Sequence, residues 1–229
     1  FPGSGGLELR VAASPLVEAT RGVSFLADYP HACAEQVASQ VLGFTAAARL
    51  GNALAPKEIK GTSPETWLAK AVGRLLACQR GDGGFAFWPD GWASSPELSS
   101  HVAWALVEAA RAGATVDEAA VARATEYLSG LLRRESWPGG EGHGWVARLL
   151  ASHALATLGK PEPAYLQGLY EQRQQAPVWG RALLAALLAR TNPSDPRLPT
   201  LFTELRNRLA VEARVARLAE AEPDWGFLV

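Results

Sequence analysis

Cys33 and Gln36 stand three residues apart, with a carboxylate between them, in the run Tyr29-Pro30-His31-Ala32-Cys33-Ala34-Glu35-Gln36. On a helix, positions i and i+3 share a face, so the Cys33 sulfur and the Gln36 side-chain carbonyl can meet within one turn. Attack of the thiolate on that amide expels ammonia and leaves an internal thioester. A first-turn cysteine suits this chemistry, because the unpaired N–H groups of a helix start favour the thiolate as nucleophile and as leaving group. Holding the two groups together makes their encounter intramolecular, a gain of about 7–11 kcal/mol in well-oriented systems. The same residues also admit a purely structural reading, a small buried cysteine beside a capping glutamate. Glu35 could orient the Gln36 amide, assist proton transfer, or act as a first-turn acid for the helix dipole. His31 is a candidate local acid or base, since imidazole titrates near neutrality.

The elements that must position these groups are helices. Pro30 ends an extended lead-in, and the run Val37, Val41, Phe44, Leu50 predicts a helix beginning near Cys33. Ser63-Pro64-Glu65 and Ser95-Pro96-Glu97 each place a capping serine before a first-turn proline and an acid. Apolar stripes follow both starts: Leu68, Val72, Leu75, and then Leu98, Val102, Ala105, Ala109. Further helices are expected over about Val116 to Leu132, Trp145 to Leu158, Ala164 to Gln174, Val178 to Arg190 and Pro199 to Ala219. A strand-like segment runs from Leu7 to Val11. The recurrence of the Ser-Pro-Glu start suggests helical hairpins used as a repeated unit.

Composition narrows the function classes. At 229 residues and 48% hydrophobic, the chain can bury one substantial core. A net charge of −1 gives no electrostatic case for nucleic acid or an anionic membrane surface. No apolar run reaches the length of a membrane span, so direct membrane insertion by this chain is not expected. The two cysteines make no disulfide framework, and Cys78, following Leu75 and Leu76, reads as a buried structural thiol. His31, His101, His143 and His153 lack metal-ligand spacing, so neither a metal nor a cofactor is expected. Gly81-Asp82-Gly83-Gly84 lacks the lysine and the strand context of a phosphate loop.

Tyr29-Pro30-x-x-Cys33-x-Glu35-Gln36 resembles the thioester motif of bacterial alpha-2-macroglobulins, relatives of the complement thioester proteins. Leu7-Glu8-Leu9-Arg10 extends the resemblance upstream. Gln79-Arg80-Gly81-Asp82-Gly83-Gly84-Phe85-Ala86-Phe87-Trp88 is similar to the family's Gln-x-x-(Asn/Asp)-Gly-Gly-Phe-x-x-Trp. The resemblance is loose to about Trp179 and weaker beyond.

This resemblance implies an all-α fold, an alpha/alpha toroid of helical hairpins. With four or five hairpins in place of about six, and an end at Asp224-Trp225-Gly226-Phe227, the ring is expected to be incomplete. Residues 1–14 would then be an extended segment from a neighbouring domain, and 15–229 a thioester domain truncated at its C-terminus. An open ring edge could support a dimer. The implied function is a single-use covalent trap: a broad-range endopeptidase inhibitor, not an enzyme, whose Cys33–Gln36 thioester acylates lysine amines of an attacking protease. Implied partners are those proteases and neighbouring macroglobulin and CUB-like domains, with a periplasmic, cell-envelope or secreted location.

A thioester must be kept dry, and Tyr29 and Trp88 are the expected shield, with Phe85, Phe87 and Trp92 nearby. Complement-type domains carry a loop histidine that redirects the bond to hydroxyls. The matching stretch here, Pro89 to Ser95, has none, so the resemblance implies aminolysis, and His101 reads as a helix-face core residue. Two alternatives stand beside this: a thioester adhesion domain, and a toroid carbohydrate-active enzyme. The latter would line a groove with Trp88, Trp92, Trp145 and Trp179 and draw its acid and base from Asp82, Asp90 and Glu97.

Overall fold

A computed structural model describes Gly22, Val23, Phe25, Leu26, Tyr29, Ile59 and residues 32–51, 61–135, 141–212 and 215–218. The strand-like segment Leu7 to Val11, the 1–14 boundary and His31 lie outside the described residues. The fold is all-α: α1 (Ala34–Leu50), α2 (Pro64–Ala77), α3 (Pro96–Arg111), α4 (Glu118–Leu132), α5 (Glu141–Thr157), α6 (Leu166–Glu171), α7 (Val178–Thr191) and α8 (Leu198–Asn207).

The helix starts follow their caps. Ser63 Oγ accepts from the Thr66 N–H at 3.3 Å and Ser95 Oγ from the Leu98 N–H at 3.4 Å, each with proline in the first turn. Asp117 caps α4 through the Ala119 N–H at 3.0 Å.

The helices form two layers. α1, α3, α5 and α7 pack in succession, while α2 lies against α1 and α3, and α4 against α3 and α5. The layers differ in sequence for that reason. α2 buries one stripe, Trp67, Leu68, Ala71, Val72 and Leu75, whereas α3 is covered nearly all round, burying even Ser99, Ser100 and Glu108. The row helices run in one direction, as their C-terminal ends meet. Glu108 of α3 pairs with Arg49 of α1, Arg111 of α3 donates to the Thr157 carbonyl of α5 at 3.2 Å, and Arg190 of α7 to Thr157 Oγ1 at 3.1 Å. The opposite end gathers the N-termini, including Cys33. Fully buried Leu75, Phe85, Leu106, Leu128 and Leu155 centre one core, and Leu149, Leu184, Leu188 and Leu201 a second. Each such side chain contributes about 1.5–3 kcal/mol.

Two expected helices are corrected. The segment Ala164 to Gln174 is broken into a 3-10 turn (Pro163–Tyr165), the short α6, and a second 3-10 turn (Arg173–Gln175). Gly168 weakens the helix, and the chain must reach Pro177 in an extended conformation at Ala176. The helix expected from Pro199 to Ala219 stops at Asn207. Leu209–Glu212 (β1) pairs antiparallel with Val215–Leu218 (β2), Leu209 opposite Leu218 and Glu212 opposite Val215. Val211 and Val215 favour strand over helix, and the apolar stripe of α8 ends with Leu205.

Candidate functional site

Cys33 is the N-cap of α1, in an extended conformation (φ −65°, ψ 165°). Its backbone N–H donates to Gln36 Oε1 at 3.2 Å, and its sulfur takes the weaker half of the pair, facing the Gln36 N–H. This is a capping box with sulfur in place of the usual hydroxyl. Helix capping alone therefore folds the Gln36 carboxamide back over Cys33. Cys33 is 8% exposed, and Gln36 and Glu35 are half-buried.

A loop from Cys78 to Ser95 closes one side of this pair. The Phe87 carbonyl accepts from the Ala34 N–H at 2.9 Å, satisfying one of the orphan donors of α1. Ala86 N–H donates to the Cys78 carbonyl at 3.0 Å, so the segment 86–87 is held on both sides. Gly83 (φ +89°) turns the loop where a Cβ would lie 2.3 Å from the Arg123 carbonyl. Asp82 Oδ1 accepts from the Gly84 N–H at 3.0 Å and from Ser94 Oγ at 2.7 Å. Phe85 is wholly buried, a plug beneath the loop. Phe87, Trp88 and Trp92 are 47%, 51% and 96% exposed on the outer side. Tyr29, half-buried, meets the Phe25 ring with centroids 5.6 Å apart.

Glu35 points along α1. Ser39 Oγ donates to Glu35 Oε1 at 3.3 Å and lies 3.0 Å from His101 Nε2. His101 is thus the satisfied helix-face core residue expected, and its partner joins α3 to α1. Burial lowers its pKa to about 4, so the ring is neutral near pH 7. His153 is held at about 4 by burial first and by Arg190 second. Cys78 is buried and free, with its thiol pushed up by burial, and Cys33 is likewise in no disulfide.

Sequence reasoning brought Cys33, Glu35 and Gln36 together and found the Gly-Gly loop. It missed the Phe87 carbonyl, because a backbone acceptor leaves no residue signature. It also missed Ser39, whose only sequence signal is its i+4 distance from Glu35. The proposed sugar groove does not assemble from its four tryptophans. Trp145 is buried, with Nε1 donating to the Leu169 carbonyl at 2.9 Å, and Asp82 is engaged in its own turn. Among the described residues no group of three or more His, Cys, Asp or Glu could hold a metal ion, and no helix is long and apolar enough to cross a membrane.

The fold and the capped pair define an all-helical domain of paired helices with a cysteine and a glutamine juxtaposed at one helix start. Bacterial alpha-2-macroglobulins are the proteins this chain resembles, and it matches one region of them. It is 25% identical over 231 residues to alpha-2-macroglobulin of Xylella fastidiosa, a span covering 96% of this chain and 13% of that protein. It is 35% identical over 126 residues to the Escherichia coli protein, covering 53% of this chain and 7% of that one. Among solved structures, Salmonella alpha-2-macroglobulin reacted with methylamine superposes with a TM-score of 0.68 at 25% identity, over 86% of this chain and 13% of that one. The Escherichia coli protein activated by porcine elastase gives a TM-score of 0.62 at 27% identity, over 77% and 16%. No family model matches the chain. The chain therefore spans about an eighth of the length of the curated relatives it matches over nearly its whole length.

Proposed function

We infer that this chain is the thioester domain of an alpha-2-macroglobulin-like endopeptidase inhibitor, acting as a single-use covalent trap. The observation that carries the reading is the 3.2 Å hydrogen bond from the Cys33 N–H to Gln36 Oε1, which holds the two reacting side chains within one turn. Formation exchanges bonds simply: Cys33 Sγ attacks Gln36 Cδ, the Cδ–Nε2 bond breaks, and the thiol proton leaves with the amide nitrogen as ammonia. In the trapping step a lysine amine of the target attacks Cδ, the Cδ–Sγ bond breaks, and the amine proton returns to the sulfur. Both steps pass through a tetrahedral centre whose negative oxygen is Gln36 Oε1. The Cys33 N–H already points at that atom, and the first turn of α1 adds its positive end. Glu35, drawn along the helix by Ser39, stabilises the start of α1 by its charge, and Ser39 keeps that charge turned along the helix rather than toward the negative oxygen.

The solved relatives support this reading, since the Salmonella protein reacts with methylamine and the Escherichia coli protein is activated by trypsin and by elastase. In this reading Tyr29 and Trp88 are part of the shield, completed by neighbouring macroglobulin and CUB-like domains of a longer chain. Residues 1–14 belong to such a neighbour, and 15–229 to a toroid whose ring is closed by further helices or by a second copy. The location is the periplasm or cell envelope.

Intact mass of the full-length protein tests the proposal. The expected mass is one ammonia below that of the sequence, followed by addition of one methylamine with release of one thiol. Cys33→Ala should lack both. A native full-length protein with no deficit and no methylamine uptake overturns it.

A further inference from the structure

Arg80 has no role in the thioester chemistry, yet its side chain donates to four backbone carbonyls. Nε reaches Cys78 at 3.2 Å, Nη1 reaches Gly91 at 2.8 Å, and Nη2 reaches Ala77 at 3.0 Å and Pro89 at 2.8 Å. Ala77 and Cys78 end α2, whereas Pro89 and Gly91 belong to the turn closed by Gly91 N–H to the Trp88 carbonyl at 2.9 Å. That turn begins one residue after Phe87, whose carbonyl holds the Ala34 N–H next to Cys33.

The geometry points to Arg80 as a positioning residue: a clamp that seats the 87–91 turn against the start of α1 and so sets how readily the Cys33–Gln36 centre is reached. A planar guanidinium suits the task. Its five donors lie in a fixed fork, so one side chain can bridge two carbonyls of a helix end and two of a turn without a rotamer change. A lysine has three donors on a flexible stem and cannot span both sets at once. The turn has few other ties, because Phe87, Trp88 and Trp92 are exposed and Pro89 and Asp90 face water. Release of the clamp leaves the Phe87 carbonyl on Ala34 backed only by the Ala86 N–H to Cys78 bond, so that contact opens more often and the side of the pair that the loop covers is reached more readily.

This inference rests on the covalent reading for its consequence, though the clamp itself can be measured without it. The test compares full-length wild type with Arg80→Lys, Arg80→Ala and, as control, Arg123→Ala, which loses a 2.7 Å bond to Gln79 Oε1 without touching the turn. Three readouts are taken: methylamine incorporation rate, iodoacetamide alkylation of Cys33 in a Cys78→Ser background, and hydrogen exchange of the Ala34 amide. Both Arg80 variants should react about tenfold faster and exchange Ala34 faster than wild type, while the Arg123→Ala control matches wild type in both. If Arg80→Ala does not fold, Arg80→Lys decides. Should the wild type carry no thioester, alkylation and exchange still report the clamp, so the two proposals fail separately. Arg80→Lys with wild-type alkylation and Ala34 exchange overturns this one.

Discussion

Ser39 Oγ lies 3.0 Å from Nε2 of His101, a contact between residues 62 apart in sequence that ties the motif helix α1 to α3. His101 and His153 are both held near 4, below the ordinary 6.5, by burial. As pH falls below 6.5 the unfolded chain takes up protons before the folded one does. The contribution of these two histidines is therefore level above about pH 7 and is lost between pH 6.5 and 4, by up to about 1.4 kcal/mol per pH unit per histidine. Urea midpoints at pH 7, 6 and 5 should show this fall, and His153→Phe should reduce its slope. A midpoint unchanged from pH 7 to 5 contradicts it.

Cys33→Ser separates capping from chemistry. Serine completes the usual capping box with Gln36, so α1 should keep its start or gain about 0.5–1 kcal/mol relative to the methylamine-opened wild type. Methylamine uptake should vanish. Thermal melts combined with intact mass read both effects in one sample.

Gly83→Ala should cost about 2 kcal/mol or more, since it combines a positive φ with a Cβ set against the Arg123 carbonyl. Gly81→Ala, two residues earlier, meets nothing within 4 Å and should be close to neutral. Chemical denaturation of the pair tests the loop geometry, and equal costs would contradict it.

Glu108→Gln should destabilise by about 1–2 kcal/mol, because a buried carboxylate receives Arg49 and, at 2.7 Å, Arg111. The effect stays in this range because both arginines can turn to water when the charge is removed. Added salt should narrow the gap between variant and wild type; a gap that is constant from 0.05 to 1 M, about a fourfold to fivefold span of Debye length, assigns the loss to the hydrogen bonds of Glu108 rather than to its charge.

Local rules were enough for much of the fold. Ser63-Pro64 and Ser95-Pro96 start helices where expected, because a hydroxyl acceptor and a fixed proline φ act within one turn. The end of α8 at Asn207 was not legible, since Leu209 to Leu218 has a register that appears only once its two halves pair. The broken helix at Leu166–Glu171 is similar: Gly168 weakens it, but where it stops also answers to the packing of α6 on α5 and α7.

The sequence by itself determined the pairing of Cys33 with Gln36, because i and i+3 positions at a capped helix start meet whatever surrounds them. Only the tertiary structure decided what lies beside that pair. The Phe87 carbonyl on Ala34, the Arg80 bridge to Pro89 and Gly91, and the His101 contact to Ser39 join separate elements. Such contacts depend on the turn direction set by Gly83 and on the common orientation of α1 and α3, which no spacing within a single helix encodes.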